Sequence, residues 1–154
     1  MGLLSKFRKK EKLYVPKEFY EDMIEHAKLE YPHECCGVLI GNSMMGDRKI
    51  FHTERCTNLN KERAHDRYLM DPREINLADK GARAQSLEIM GFYHSHPDHP
   101  DRPSDYDREV AHPGYSYIIL SVKGGTEVTA KSWTFAELED PFTEESIEVT
   151  VPKW

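Results

Sequence analysis

The sequence predicts an α/β fold in which a mixed, mainly antiparallel β-sheet is flanked by helices. Three observations carry this reading. An apolar stripe at helical spacing follows Pro16, and a second helix is announced by capping residues at Asp71–Glu74. Several other runs of strand length are rich in Val, Ile, Tyr and Phe. Helical and strand signals are interspersed along the chain, so helices must pack on a sheet that strands from several regions build together.

Taken in order, Phe19, Met23 and Ala27 recur every four residues with Tyr20 and Ile24 beside them, which predicts a helix from Pro16 to just before Pro32. In residues 32–42, Cys36, Val38 and Ile40 alternate with Gly37, Leu39 and Gly41, the pattern of a strand buried on both faces. Asn42–Asp47 is a turn, and 49–56 is a second, less buried strand carrying Lys49, His52, Glu54 and Arg55. After a polar stretch, Tyr68–Met70 is a short strand, and Asp71, Pro72 and Glu74 open a helix that runs to about Leu87. Ile89–Ser95 is a strand, and residues after Ser104 form a short helix that ends near His112–Pro113. Residues 115–122 (YSYIILSV) and 126–135 form a hairpin around Gly124–Gly125, and 147–151 is a closing strand.

The 154 residues suit one domain with a real core. Residues 1–12 carry five Lys or Arg and one Glu, a net +4 against −10 for the remainder of a chain whose total is −6. We therefore expect a flexible basic arm over 1–12 and one domain over 13–154. The acidic remainder excludes a nucleic-acid-binding domain as the expected class. No apolar run approaches the ~20 residues of a membrane span, and no secretory signal is visible. Three cysteines, Cys35, Cys36 and Cys56, then point to a reducing cytoplasm, with small buried side chains as their default role.

Chemistry concentrates in Gly91–Asp107, GFYHSHPDHPDRPSDYD. On a strand, His94 and His96 project from one face. Pro97, Pro100 and Pro103 forbid regular structure after them, and if Ser104 caps the short helix, Asp107 shares its face. Two imidazoles and a carboxylate suit one zinc ion, with a water in the fourth, open position. Asp98, His99, Asp101 and Asp105 compete for the third place; Asp107 is preferred because it shares the face of Ser104. An acidified water needs a base, and Glu34, at the mouth of the first strand, is the candidate. From spacing alone a surface carboxylate is the default reading of Glu34, as a plain helix cap is of Ser104. The alternative role for Ser104 is donation to the oxyanion of a tetrahedral intermediate.

The run His94-Ser-His96-Pro97, six residues, Ser104, two residues, Asp107 resembles, without a gap, the signature of the JAMM (MPN+, Mov34/JAB) zinc metalloproteases. The similarity extends from about Val15 to Val151 and is strongest to the short prokaryotic type, through the stretches ECCG, YLMDP, HSHPDHPDRPS and PGYSYIILSV. The resemblance implies the MPN/JAB, cytidine-deaminase-like sheet and a zinc-dependent peptidase or isopeptidase. It assigns zinc to His94, His96 and Asp107, the base to Glu34 and the oxyanion donor to Ser104. It also implies a ubiquitin-like or sulfur-carrier β-grasp partner, cleaved after its C-terminal Gly-Gly. The short link from Asp107 to the next strand leaves little room for a second gripping insertion. Two alternatives stand beside this reading: a non-catalytic module with structural zinc, and a peptidase for small peptides. We expect the strand at 49–56 to form one lip of the groove for the tail.

Overall fold

A computed structural model describes residues 11–152. Most of the basic arm therefore lies outside the described residues, and Lys12, its last member, opens the first strand. The elements are β1 (Lys12–Pro16), α1 (Lys17–Glu30), β2 (Cys36–Met44), β3 (Asp47–Cys56), α2 (Pro72–Ala84), β4 (Glu88–Pro97), α3 (Asp105–Val110), β5 (Ser116–Lys123), β6 (Glu127–Thr134) and β7 (Thr143–Thr150). Among the described residues no helix is long and apolar enough to cross a membrane.

The mixed sheet with flanking helices is present, but it is not open. Its strands run β1-β3-β2-β4-β5-β6-β7 and close into a barrel. The closing contacts are parallel: β1 pairs with β7 over Lys12–Pro16 and with β3 at Leu13 and Tyr14. β4 and β5 are also parallel, and the other four pairings are antiparallel. The first element is thus a strand rather than a helix. Leu13 and Val15 alternate inward and are wholly buried, while Pro16 ends the strand and precedes the helix, where a missing N–H costs little. Such a strand holds only two inward side chains, too few to show as a period. At the other end β7 begins at Thr143, four residues before the expected start.

Alternation along β2 and β4 separates two cores. Leu39 and Tyr93 face a large cluster with Leu13, Val15, Met23, Ile118 and Leu120, onto which α1 packs. Cys36, Val38 and Ile40 face the other way, toward Ala78 and Ala82 of α2, with Phe92 alongside. Asp71 caps α2 by accepting from Arg73 N at 2.9 Å, as its sequence signal predicts. Cys35 and Cys36 fall in opposite clusters, and all three cysteines are free. Burial pushes the thiols of Cys35 and Cys56 up to about 12, so they remain protonated.

Close strand approach fixes the register. A Cβ on Gly91 would lie 1.8 Å from the Ser116 carbonyl oxygen across the parallel β4–β5 pair. Backbone cannot yield there as a flexible side chain would. Gly91→Ala should therefore cost at least ~2 kcal/mol of unfolding free energy in a urea titration.

Candidate metal centre

The parallel pairing of β4 with β5 requires the chain to leave the end of β4, cross over and return to run the same way. That crossover is the loop 98–104 and α3, and it carries Asp107 back over the two histidines. His94 and His96 share the α2 side of β4, whereas Tyr93 and Ser95 point to the opposite side.

The three candidate ligands are buried and their donor atoms converge within 4.8 Å. His94 Nε2 and His96 Nε2 are 3.2 Å apart; Asp107 Oδ1 is 3.3 Å from the first and Oδ2 2.9 Å from the second. On a tetrahedral zinc with bonds of ~2.0–2.1 Å, neighbouring ligand atoms lie about 3.3 Å apart, so the spacing fits. The hydrogen bonding argues the same way. His96 Nδ1 is 2.7 Å from the Pro100 carbonyl, which can only accept, so Nδ1 carries the proton. In the neutral ring Nε2 then presents a lone pair toward a carboxylate and a second imidazole. Crowding of this kind is relieved by a positive charge among the three side chains, either a proton held on an imidazole or a metal ion between them. The Pro100 carbonyl is also the kind of partner that orients a metal-binding imidazole.

Ser104 and Asp107 form a capping box at the start of α3. Asp107 N donates to Ser104 Oγ at 3.0 Å, and Ser104 N donates to Asp107 Oδ2 at 2.9 Å. The cap uses a lone pair of the Ser104 hydroxyl and leaves its proton available, so capping and donation are compatible. Burial alone would raise the Asp107 carboxyl, but the two imidazoles and the Ser104 amide hold it well below the usual carboxylate range.

Glu34 is buried, and its Oε1 has no partner among the described residues. It lines a cleft of about 790 Å³ together with His96, Ser104, Arg67, Tyr106 and Trp133. Burial pushes its carboxyl up to about 8; positive charge on a protonated His96 ring opposes this and the negative charge of Asp107 adds to it. The default surface reading of Glu34 is thereby displaced. The competing acids are engaged elsewhere: Asp98 accepts from Tyr31 Oη at 2.6 Å and Gly124 N at 2.8 Å, and Asp101 from Thr129 Oγ1 at 2.8 Å. His99 and Asp105 line the cleft but stand outside the convergent ligand group.

Three features escaped the sequence reading. Tyr68 stacks on His94 with ring centroids 4.5 Å apart, covering one side of the ligand group. The loop 63–67 forms a wall of the cleft, and Arg67 lies 4.2 Å over the Tyr106 ring of the opposite wall. The expected lip at 49–56 is corrected by this arrangement, because no β3 residue lines the cleft. β3 lies beyond β2, away from β4, and only its last residue, Cys56, reaches a smaller cavity behind Glu34.

Residues 16–136 match the family described as prokaryotic homologs of the JAB domain. The chain is 36% identical over 117 residues to a desampylase of Haloferax volcanii, covering 75% of this chain and 81% of that protein. It is 30% identical to a probable TtuB-protein conjugate cleaving protease of Thermus thermophilus, covering 73% and 72% respectively. A solution structure from Desulfitobacterium hafniense superposes with a TM-score of 0.81 at 32% identity, covering 91% of this chain and 94% of the other. One from Salinibacter ruber gives 0.68 at 34% identity, covering 89% and 90%.

Two outcomes are expected. His96→Ala should lose bound zinc, read by elemental analysis of purified protein. In metal-free protein, Glu34 ionises near 4.5 when unfolded but near 8 when folded, so its burial costs stability increasingly as pH rises between those values. Glu34→Gln should therefore stabilise the chelator-treated protein, by little at pH 4.5 and by a few kcal/mol (order of magnitude) at pH 8. Thermal unfolding across that range measures it.

Proposed function

The chain belongs to the prokaryotic branch of the JAB-domain (JAMM) metallopeptidases, and on that premise we propose that it hydrolyses the bond after the C-terminal Gly-Gly of a ubiquitin-like or sulfur-carrier β-grasp protein. The observation that carries the metal-dependent part is the buried convergence of ligand atoms from His94, His96 and Asp107 beside the unpartnered Oε1 of Glu34. The relatives' names support the substrate class, since one is a desampylase and another cleaves protein conjugates.

His94 Nε2, His96 Nε2 and an Asp107 oxygen would hold one zinc ion, which supplies Lewis acidity and brings the pKa of a water down to ~7. No fourth protein ligand joins the group among the described residues, which favours a catalytic over a purely structural ion. Glu34 takes a proton from the attacking water and delivers it to the leaving amine. Its burial supports this role, because a desolvated carboxyl takes up a proton more readily than an exposed one and can return it to the leaving group. The free hydroxyl proton of Ser104 donates to the oxygen that gains charge as the carbonyl is attacked. The tail would enter between the loop 63–67 and the segment 99–106, where glycine lets its backbone come close to both walls.

The test is cleavage of a Gly-Gly-tailed ubiquitin-like protein, presented as a linear fusion and as an isopeptide conjugate, with and without chelator. Wild-type protein should cleave at least one form and stop when chelated; no cleavage of either would sink the substrate assignment. Glu34→Gln should retain zinc yet lose kcat by at least ~10³-fold, and near-normal turnover would remove Glu34 from the mechanism. Ser104→Ala should lower kcat by roughly 10²–10³-fold with zinc retained.

A further inference from the structure

Glu34 lies just outside the sheet. The β2 ladder begins at Cys36, which pairs with His94 on one side and Cys56 on the other, so regular strand pairing does not reach Glu34, two residues earlier. Yet Glu34 must be aimed, because its side chain is buried without a partner. The peptide group joining Glu34 to Cys35 shows how this is done. Its carbonyl accepts from Asn58 Nδ2 at 3.1 Å, and its N–H donates to Ser95 Oγ at 2.7 Å. Both ends of one peptide plane are thus held by side chains where the ladder would otherwise supply backbone.

Each holder is itself fixed. Ser95 is fully buried, and its own N–H donates to the Cys35 carbonyl at 3.1 Å, so it grips Cys35 from both directions. It stands between His94 and His96 and points to the opposite face of β4, so one tripeptide holds the ligand atoms on one side and the Glu34–Cys35 peptide on the other. The Asn58 amide is saturated. Nδ2 donates to Glu34 O and to Arg67 O at 3.0 Å, and Oδ1 accepts from Asn60 N at 2.9 Å and Leu69 N at 3.0 Å. It therefore ties the Glu34 main chain to the loop whose Arg67 lines the cleft and whose Tyr68 stacks on His94. Glu34 N adds a third anchor by donating to Ala64 O of the same loop.

We infer that Asn58 and Ser95 are positioning residues that clamp the Glu34–Cys35 peptide plane and so aim the Glu34 carboxylate at the water that attacks the substrate. The inference rests on the reading of Glu34 as the base. Neither side chain belongs to the convergent ligand group, so each can be removed without taking a ligand from the metal. A base displaced by even an ångström loses much of its effect, while substrate affinity, set by the cleft walls, changes less.

The experiment measures kcat, KM, zinc content and urea unfolding for Asn58→Ala and Ser95→Ala, each made in the wild-type and in the Glu34→Gln background. The substrate is a Gly-Gly-tailed fusion that the wild type cleaves. The expected result is a kcat lowered by 10- to 100-fold in each single variant, with one zinc per chain and, for Ser95→Ala, whose side chain touches no cleft wall, KM within about threefold. In the Glu34→Gln background the same substitutions should lower the residual rate by less than twofold, because the group they aim is already gone. Single variants with kcat within twofold of wild type would overturn the inference, as would losses that multiply with that of Glu34→Gln. Loss of zinc or of cooperative unfolding in both variants would also overturn it, by making the two side chains structural. A Glu34→Gln variant with near-normal turnover would instead sink the underlying assignment of the base.

Discussion

The site hangs on the alternation of side chains along β4. A slip of one residue against β2 or β5 would turn His94 and His96 toward the α1 core and bring Tyr93 and Ser95 to the cleft. Such a slip is opposed on three sides. Tyr93 is wholly buried and reaches His26 Nδ1 at 2.7 Å on α1. Gly37 faces the Tyr93 ring so closely that a Cβ there would fall 2.1 Å from it. Gly91 meets the Ser116 backbone in the same manner. The packing that fixes this strand therefore also fixes where the two candidate ligands point, and the parallel pairing of β4 with β5 dictates where Asp107 must return.

The same arrangement is unfavourable in its own terms. Three acceptor-bearing side chains meet in a buried place, and beside them lies a carboxyl oxygen with no hydrogen bond. Groups like these are costly when left uncompensated. The fold tolerates them because the surroundings are over-determined: capping box, Pro100 carbonyl, stacked Tyr68, and the clamp on the Glu34 peptide. Each fixes orientation without neutralising the chemistry. Preorganised sites in general have this character, storing cost in the resting state to be offset when a cation and a reacting carbonyl arrive.

What could be read from the sequence follows from period and spacing. His94 and His96 were legible because a strand has period two, and the capping of α2 because Asp71, Pro72 and Glu74 stand at fixed offsets. The ligand role of Asp107 was preferred from spacing and sharpened by the family resemblance, since four other residues competed by spacing alone. Glu34 was a candidate base from its place at the mouth of the first strand, with a surface carboxylate as the default, and the resemblance strengthened it; its burial was not legible, since the loop 58–69 has no periodic pattern. Asn58 was silent for a related reason. It acts on backbone carbonyls and amides, and nothing in a sequence marks which peptide group a loop amide will find. Barrel closure was missed because β1 shows only Leu13 and Val15 inward, while β7 (TEESIEVT) buries Glu145 and only half-buries Ile147 among exposed or half-exposed neighbours. Glu145 accepts from Ser116 Oγ and Ser132 Oγ, a polar pairing that hydrophobic patterning cannot detect.

The closing seam has a temporal side as well. β1 is among the earliest parts of the domain to be synthesised and β7 the last, yet they are neighbours over five consecutive residue pairs. During translation, β1 must wait with one long edge unmatched until more than a hundred further residues have been made. Contacts of such sequence separation are slow to form. The ring can be completed only after β7 has cleared the ribosome, so a nascent chain halted before Thr143 would have its histidine strand and its crossover but a split wall. Closure of the barrel is in that sense tied to the emergence of its last strand.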